Sequence, residues 1–246
     1  MSGHNKWSKI KRKKGAEDNK RSKVFTRIIK EITVAIKEGT PDPDTNPRLR
    51  MALNNAKGVN LPKDTIQRAI NKASESGGAN FLETTYEGYG PGGIAIFVEC
   101  TTDNINRTVS NMRMIFSKLH GTLGTNGSLA FIFDRKGVFT VPKGNLNEDD
   151  FMMEVIDAGA EDVELDDGVF TIYTAFEDFG LMNKKLEEMK IEVENAELQR
   201  IPKNPTAVDV DTARRVFKLI DVIEDDDDVQ AVYHNMELTE EIMSAV

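Results

Sequence analysis

The spacing of apolar residues in the first third of the chain predicts three helices. Residues 16–38 place an apolar side chain at every third or fourth position, which is the period of one helix face. Gly39 and the prolines that follow it end this helix. Two shorter helices are predicted over 47–57 and 62–75, each with a proline at its start and a glycine at or just after its end. We therefore expect an N-terminal helical bundle.

After the glycine pair at 77–78 the pattern changes to a mixture of strands and helices. One β-α-β unit is predicted, with its strand, helix and strand at 94–101, 104–120 and 128–134. Such a unit makes a sheet too small to stand alone. A later helix and strand, at 211–224 and 229–233, have no partner nearby in the chain and would complete that sheet.

The segment between these two parts has the element order βαββαβ of a ferredoxin-like fold. Its predicted elements are a strand at 137–142, a helix at 148–158, strands at 161–166 and 169–175 joined by a hairpin at Asp167-Gly168, a helix at 177–189 and a strand at 191–200.

We therefore predict an α+β multidomain protein in which a helical bundle is followed by two ferredoxin-like α/β domains, the third inserted into the second. The predicted domains are a basic arm and helical bundle over 1–77, a discontinuous α/β domain over 78–134 plus 204–246, and an inserted ferredoxin-like domain over 135–203.

Positive charge is concentrated at one end of a chain that is acidic overall. The formal net charge of the 246 residues is -9, yet residues 1–72 hold 18 lysines and arginines against 7 acidic residues, a net of +11. The remaining residues hold 14 basic against 34 acidic side chains. This segregation is typical of a segment that binds a polyanion, because lysine and arginine release counterions when they neutralise phosphates.

The candidate chemistry follows from this basic region. Its first fifteen residues carry six basic side chains, one tryptophan and no acid. Trp7 offers a flat ring on which a base can stack. The alternative is a solvated tail with Trp7 packed on the bundle, but a solvated face normally alternates the signs of its charges. The predicted nucleic-acid-binding residues are Lys6, Trp7, Lys9, Lys11, Arg12, Lys13, Lys14, Lys20, Arg21, Lys23, Arg27, Lys63, Arg68 and Lys72. The polar faces of the predicted helices are expected to carry further cations, among them Lys30, Arg48, Arg50 and Lys57.

The glycine-rich segment 86–93, with the sequence YEGYGPGG, resembles a phosphate-binding loop only in its composition. It lacks the Gly-Lys-Ser/Thr of a P-loop and leads into a strand rather than a helix. We expect a shaped turn that presents Tyr86 and Tyr89.

The residue pattern offers little support for catalysis or metal binding. The histidines, His4, His120 and His234, lack the spacing of metal ligands. Cys100 lies in an apolar stretch typical of a core residue rather than a nucleophile. The acidic run 225–228 follows a helix and is expected to be an exposed turn rather than a cation site. We expect no enzyme activity, no catalytic or metal site and no cofactor.

The single cysteine excludes an intrachain disulfide, which fits a reducing compartment. No stretch approaches the ~18 apolar residues that span a bilayer, and the N-terminus lacks the apolar run of a signal peptide. We expect a cytoplasmic protein that makes no contact with membranes and is a monomer, although the basic N-terminus is also compatible with an organellar leader.

Four sequence blocks resemble the YebC/PmpR family, which is related to the mitochondrial translational activator of cytochrome c oxidase. The blocks are SGHNKWSKIKRKK at 2–14, NLPKDTIQRAI at 60–70, EGYGPGGI at 87–94 and FDRKGV at 133–138. The resemblance runs essentially from end to end. It implies a helical domain followed by two α/β domains, the third interrupting the second, and a cytoplasmic regulator of gene expression.

Two functions are compatible with this resemblance. The first is a DNA-binding transcriptional regulator whose helical bundle enters a groove while the basic arm follows the phosphate backbone. The second is a ribosome-associated translation factor, or translational activator, that binds ribosomal or messenger RNA. Both have nucleic acid as the partner, and the sequence alone does not separate them.

Overall fold

The computed structural model describes residues 18–75 and 80–245, with side chains from Arg21 onward. This part of the chain contains eight helices and two antiparallel four-stranded sheets, which confirms the α+β class. By their contacts the described residues form two compact units. The first unit comprises 18–30, 80–134 and 201–245, and the second comprises 31–75 and 135–200. The division into three domains at 77, 134 and 203 stays a prediction.

Three helices are present in the N-terminal part, as the apolar spacing predicts. They are α1 (Asp18–Glu38), α2 (Pro47–Gly58) and α3 (Lys63–Ser74). Asn46 joins the first two: its side-chain oxygen accepts the N–H of Leu49 at the start of α2, and its Nδ2 donates to the carbonyl of Ala35 in α1 at 2.7 Å. Such a cap satisfies backbone donors that the helix itself leaves unpaired.

The sheet of the first unit contains β1 (Leu82–Tyr89), β2 (Ala95–Thr102), β3 (Thr122–Leu123) and β8 (Val229–His234) in the order β3-β1-β2-β8. Its helices are α4 (Ile105–Lys118), α7 (Val210–Glu224) and α8 (Glu240–Ala245). β1 is antiparallel to both β2 and β3, so β2 and β3 are parallel to each other. They are connected by α4, and β1 lies between them. The apolar faces of α4 and α7 share one core with β2 and β8.

The predicted turn at Tyr86 is wrong. Tyr86 lies in the middle of β1 and is 6% exposed, whereas Tyr89 at the end of the strand is 44% exposed. The turn follows Tyr89 and begins at Gly90. Within it Gly92 and Gly93 adopt φ values of +71° and +72°, which favour glycine. The strand was not predicted because its sequence, LETTYEGY, contains few aliphatic residues.

The predicted strand at 128–134 is also wrong. Residues Ala130–Ile132 form a short 3-10 turn, and Phe133 begins β4 (Phe133–Pro142), a strand of the other sheet. Leu129 and Phe133 are buried in a small apolar cluster on β2 and β8. The buried carboxylate of Glu87 accepts the N–H groups of Gly127 and Leu129. The buried side chains of Leu129 and Phe133 therefore give this segment an apolar pattern that resembles a strand. The residues before Phe133 form a turn instead, and the carboxylate of Glu87 binds its backbone N–H groups.

The remaining elements follow the predicted βαββαβ order. They are β4, α5 (Glu148–Asp157), β5 (Ala160–Asp166), β6 (Val169–Ala175), α6 (Phe179–Glu188) and β7 (Asn195–Pro202). The sheet order is β5-β6-β4-β7. Within the second unit, the side chain of Asn55 on α2 pairs with both backbone groups of Ala196 on β7, at 2.9 and 3.0 Å. No helix among the described residues is long and apolar enough to cross a membrane.

Candidate nucleic-acid interface

One face of α3 presents cations and carboxamides to solvent. Lys63, Gln67 and Asn71 form one row at four-residue spacing, and Arg68 and Lys72 form the adjacent row. All five side chains are exposed. The helix turns its small apolar residues, Ala69 and Ala73, inward. The sequence therefore correctly indicates that Lys63, Arg68 and Lys72 lie on an accessible surface of one helix.

Contacts along this face leave its polar groups accessible. Gln67 Nε2 donates to Asn71 Oδ1 at 2.9 Å. Arg68 lies along its own helix, where Nε donates to the carbonyl of Asp64 at 3.2 Å and a terminal nitrogen donates to Thr65 Oγ1 at 3.3 Å. The first bond lies at the long end of the normal range and the second just beyond it, so the guanidinium is available to an incoming anion.

Two of the predicted nucleic-acid-binding residues of α1, Lys23 and Arg27, contact acceptors of the protein itself. Lys23 Nζ pairs with Asp225 Oδ1 at 2.5 Å. Arg27 donates to the carbonyls of Glu224 and Val229, each at 3.0 Å, and so caps the C-terminal end of α7. Arg21 is exposed, with its guanidinium 5.5 Å from the centre of the Phe25 ring. Arg27 and Lys23 therefore attach α1 to the rest of the first unit.

Lys30 is a buried residue rather than part of the expected polar face. It is 8% exposed. Its ammonium group donates to the carbonyls of Thr101 and Asp227 at 2.9 and 2.7 Å, and to Asp228 Oδ1 at 3.1 Å. Burying a lysine in this way is tolerated because three acceptors replace its hydration shell. The sequence cannot distinguish this lysine from its exposed neighbours, since its partners are about 70 and 200 positions away.

Asp228 is the centre of a buried polar network in the first unit. Its second oxygen, Oδ2, accepts hydrogen bonds from Arg107, Thr102 and Thr108 at 2.7, 3.0 and 2.9 Å. The expectation of an exposed acidic turn at 225–228 is therefore wrong for Asp228, whose side chain is 5% exposed, and right for Asp225, at 72%. Burial opposes ionisation of Asp228, but the hydrogen bonds from Arg107, Thr108 and Lys30 outweigh it and lower the pKa of the carboxyl group.

The lowered pKa of Asp228 predicts how its contribution to stability depends on pH. A carboxyl group with a lower pKa in the folded state stabilises the fold above its unfolded pKa of ~3.9, and this contribution is lost as pH falls through the folded value. The loss of unfolding free energy in Asp228→Asn should therefore be largest near pH 7 and shrink below about pH 4. Urea unfolding of both proteins between pH 3 and 7 measures this difference. A loss of unfolding free energy that increases as the pH falls would contradict the lowered pKa of Asp228.

Part of the predicted interface lies outside the described residues. This applies to Lys6, Trp7, Lys9, Lys11, Arg12, Lys13 and Lys14, and to the side chain of Lys20. Their role stays a prediction from the sequence.

The similarity of the chain to known proteins extends over both of its parts. A family described as "TACO1/YebC protein N-terminal domain" matches residues 5–76, and one described as "TACO1/YebC second and third domain" matches residues 81–236. The chain belongs to the TACO1/YebC family. The resemblance of the four sequence blocks is thereby confirmed.

Relatives of this TACO1/YebC chain match it over nearly its whole length. A protein of Chlorobaculum parvum named "Probable transcriptional regulatory protein" is 51% identical over 100% of this chain and 99% of its own. A protein of the same name from Clostridium botulinum is 49% identical over 98% of both chains. The crystal structure of a conserved hypothetical protein from Aquifex aeolicus has a TM-score of 0.83 and 42% identity, covering 93% of this chain and 96% of that one.

Cys100 of this TACO1/YebC protein is a core residue, as predicted. It is 3% exposed and belongs to the apolar cluster of the first unit. Burial, together with the nearby charges of Asp226 and Asp228, raises the pKa of the thiol to about 12. The thiol is therefore protonated at neutral pH and is a poor nucleophile.

Two exposed residues of the α3 face, Gln67 and Asn71, are absent from the predicted site, since that prediction rests on charged and aromatic side chains. They lie inside or beside the block at 60–70, and their four-residue spacing already places them on one helix face with Lys63. That spacing was the available clue.

Proposed function

We propose that this TACO1/YebC protein is a non-enzymatic, DNA-binding transcriptional regulator that acts in the cytoplasm. The observation that carries the proposal is the exposed face of α3, where Lys63, Arg68 and Lys72 lie beside two carboxamides. The names of the relatives in Chlorobaculum parvum and Clostridium botulinum support a regulatory role.

The physical basis is electrostatic. The chain has a net charge of -9, so DNA is repelled by most of its surface and attracted to the region where cations are not neutralised. On α1, Lys23, Arg27 and Lys30 are occupied by acceptors of the protein itself. The exposed Arg21 of α1, the cations of α3 and those of the N-terminal segment 6–14 are then the ones that meet phosphates.

Removing the three cations of α3 tests the proposal. Each phosphate contact on duplex DNA contributes about -0.9 to the slope of log affinity against log salt. The variant Lys63→Ala/Arg68→Ala/Lys72→Ala should therefore bind random duplex DNA more weakly at low salt and show a slope reduced by up to about 2.7. Fluorescence anisotropy with a labelled 20-bp duplex over 50–200 mM salt measures both quantities.

A control with the same change in net charge separates local contact from overall repulsion. Three exposed lysines that lie outside the N-terminal helices serve for this control: Lys184, Lys203 and Lys218. Their combined replacement by alanine should leave the slope unchanged. Equal losses in the two triple variants would exclude α3 as the contact surface.

The basic N-terminal segment should contribute independently. Replacing Lys11, Arg12, Lys13 and Lys14 together by alanine should weaken binding to all DNA sequences and reduce the slope by up to about 3.6. Unchanged affinity at low salt in the same assay would remove this segment from the mechanism.

A translation factor would behave differently from a DNA-binding regulator. Sedimentation of a cell lysate after nuclease digestion of its DNA shows whether the protein migrates with ribosomal particles or separately from them. Co-migration with ribosomal particles, together with a wild-type protein that fails to bind duplex DNA in dilute buffer, would overturn the proposal in favour of RNA.

A further inference from the structure

The two carboxamides on α3 offer acceptors as well as donors, and a phosphate, which accepts hydrogen bonds, does not use the acceptors. Gln67 and Asn71 are both exposed, lie one turn apart and are joined by a hydrogen bond of 2.9 Å. Neither side chain carries charge, so neither adds to counterion release, although their N–H groups can donate to phosphate oxygens. They lie between the cations, with Lys63 one turn before them and Arg68 and Lys72 on the neighbouring row.

The hydrogen bond within the pair leaves most of its bonding capacity free. It uses one of the two N–H groups of Gln67 and one lone pair of the Asn71 oxygen. The Gln67 oxygen, its second N–H and both N–H groups of Asn71 have no other partner among the described residues and remain available. A carboxamide with a free donor and a free acceptor matches adenine, which presents the N6 amino group and the N7 acceptor in the DNA major groove.

The dimensions of the helix agree with this pairing. Four residues of α-helix rise about 6 Å, so the two carboxamides span roughly two base-pair steps of ~3.4 Å. Lys63 and Lys72 are nine residues apart, or about 13.5 Å along the axis and about half a turn around it, so they flank the carboxamide pair on both sides. The deep, narrow major groove of an RNA duplex does not admit a helix.

We propose, on the basis of the proposed function, that Gln67 and Asn71 recognise adenine in the major groove of duplex DNA and so give this protein sequence specificity. The cations of the same face position the helix on the phosphates, and the carboxamides select the bases. One good bidentate contact discriminates against a wrong base by about 5- to 150-fold.

The test combines selection with a modified base. Wild-type protein is used to select from a pool of random 20-bp duplexes and should enrich sites with adenine at one or two fixed positions. Gln67→Ala/Asn71→Ala should lose this enrichment while keeping the salt slope of the wild type. Both substitutions raise helix propensity, so α3 should remain folded. Asn106→Ala, at an exposed position of α4, is the control and should select as the wild type does.

Replacing adenine by 7-deazaadenine in the selected duplex removes the N7 acceptor and leaves Watson–Crick pairing and the minor groove intact. Wild-type affinity should fall about 5-fold or more, and the affinity of the double variant should not change. A double variant that selects the same sites, or a wild type insensitive to the modified base, would overturn the inference with phosphate binding intact. A wild type that binds no duplex at low salt would overturn the proposed function as well.

Discussion

Replacing Asp228 with alanine should reduce the unfolding free energy by about 3–5 kcal/mol, because it leaves the buried ammonium group of Lys30 without its counter-ion. Arg107, Thr102 and Thr108 would lose their common acceptor at the same time. Chemical denaturation with circular dichroism measures the loss. Because Lys30 belongs to the part of α1 that lies in the first unit, the attachment of residues 18–30 to the rest of that unit should weaken as well.

Asp225 supplies the matched control for Asp228. Its carboxylate pairs with Lys23 and is 72% exposed, and exposed ion pairs contribute at most about 1 kcal/mol. Asp225→Ala should therefore cost little. If Asp225→Ala and Asp228→Ala have the same small effect, the buried network does not stabilise the fold.

Gly58→Ala should destabilise the second unit by about 3 kcal/mol, although helix propensity predicts the opposite. Inside a helix alanine is ordinarily more favourable than glycine by about 1 kcal/mol. A Cβ atom at Gly58, however, would lie 1.9 Å from the carbonyl oxygen of Glu194, and a backbone segment must move to admit it. The displacement would also strain the pairing of Asn55 with Ala196 on β7.

Gly180 tests the same substitution without the steric conflict. It lies in α6, and a Cβ atom there would meet nothing within 4 Å. Gly180→Ala should be neutral or should stabilise by up to about 1 kcal/mol. Thermal melts of the two variants should therefore shift in opposite directions, or only that of Gly58→Ala should fall. A stabilised Gly58→Ala would show that α2 does not approach Glu194 closely.

The two groups of cations in the N-terminal part have different surroundings. On α1, Lys23, Arg27 and Lys30 bind acceptors around the turn that follows α7. On α3, Lys63 and Lys72 face solvent. The acidic run at 225–228 thus has an internal partner, which explains why four successive acids are tolerated at a helix end. The excess of positive charge that remains for a nucleic acid is smaller than the count over 1–72 indicates.

Most helices and strands could be predicted because they depend on local periodicity. The three N-terminal helices, the βαββαβ order after residue 135, and α7 with β8 all follow from apolar spacing and from prolines and glycines at the ends of elements. The exceptions are β1, whose residues are mostly polar or glycine, the two-residue strand β3, the six-residue helix α8, and the segment 128–134, whose apolar residues anchor a turn rather than a strand.

The amino-acid sequence by itself determined the family, the α+β class and the concentration of cations near one end of the chain, because each depends on residue identity and short-range spacing. Only the tertiary structure decided which cations are free. Lys30 and Lys63 are the same residue type on similar helices, yet one is enclosed by Thr101, Asp227 and Asp228 and the other is exposed. The difference arises from groups about 70 to 200 residues distant in the chain, and no local pattern encodes their approach.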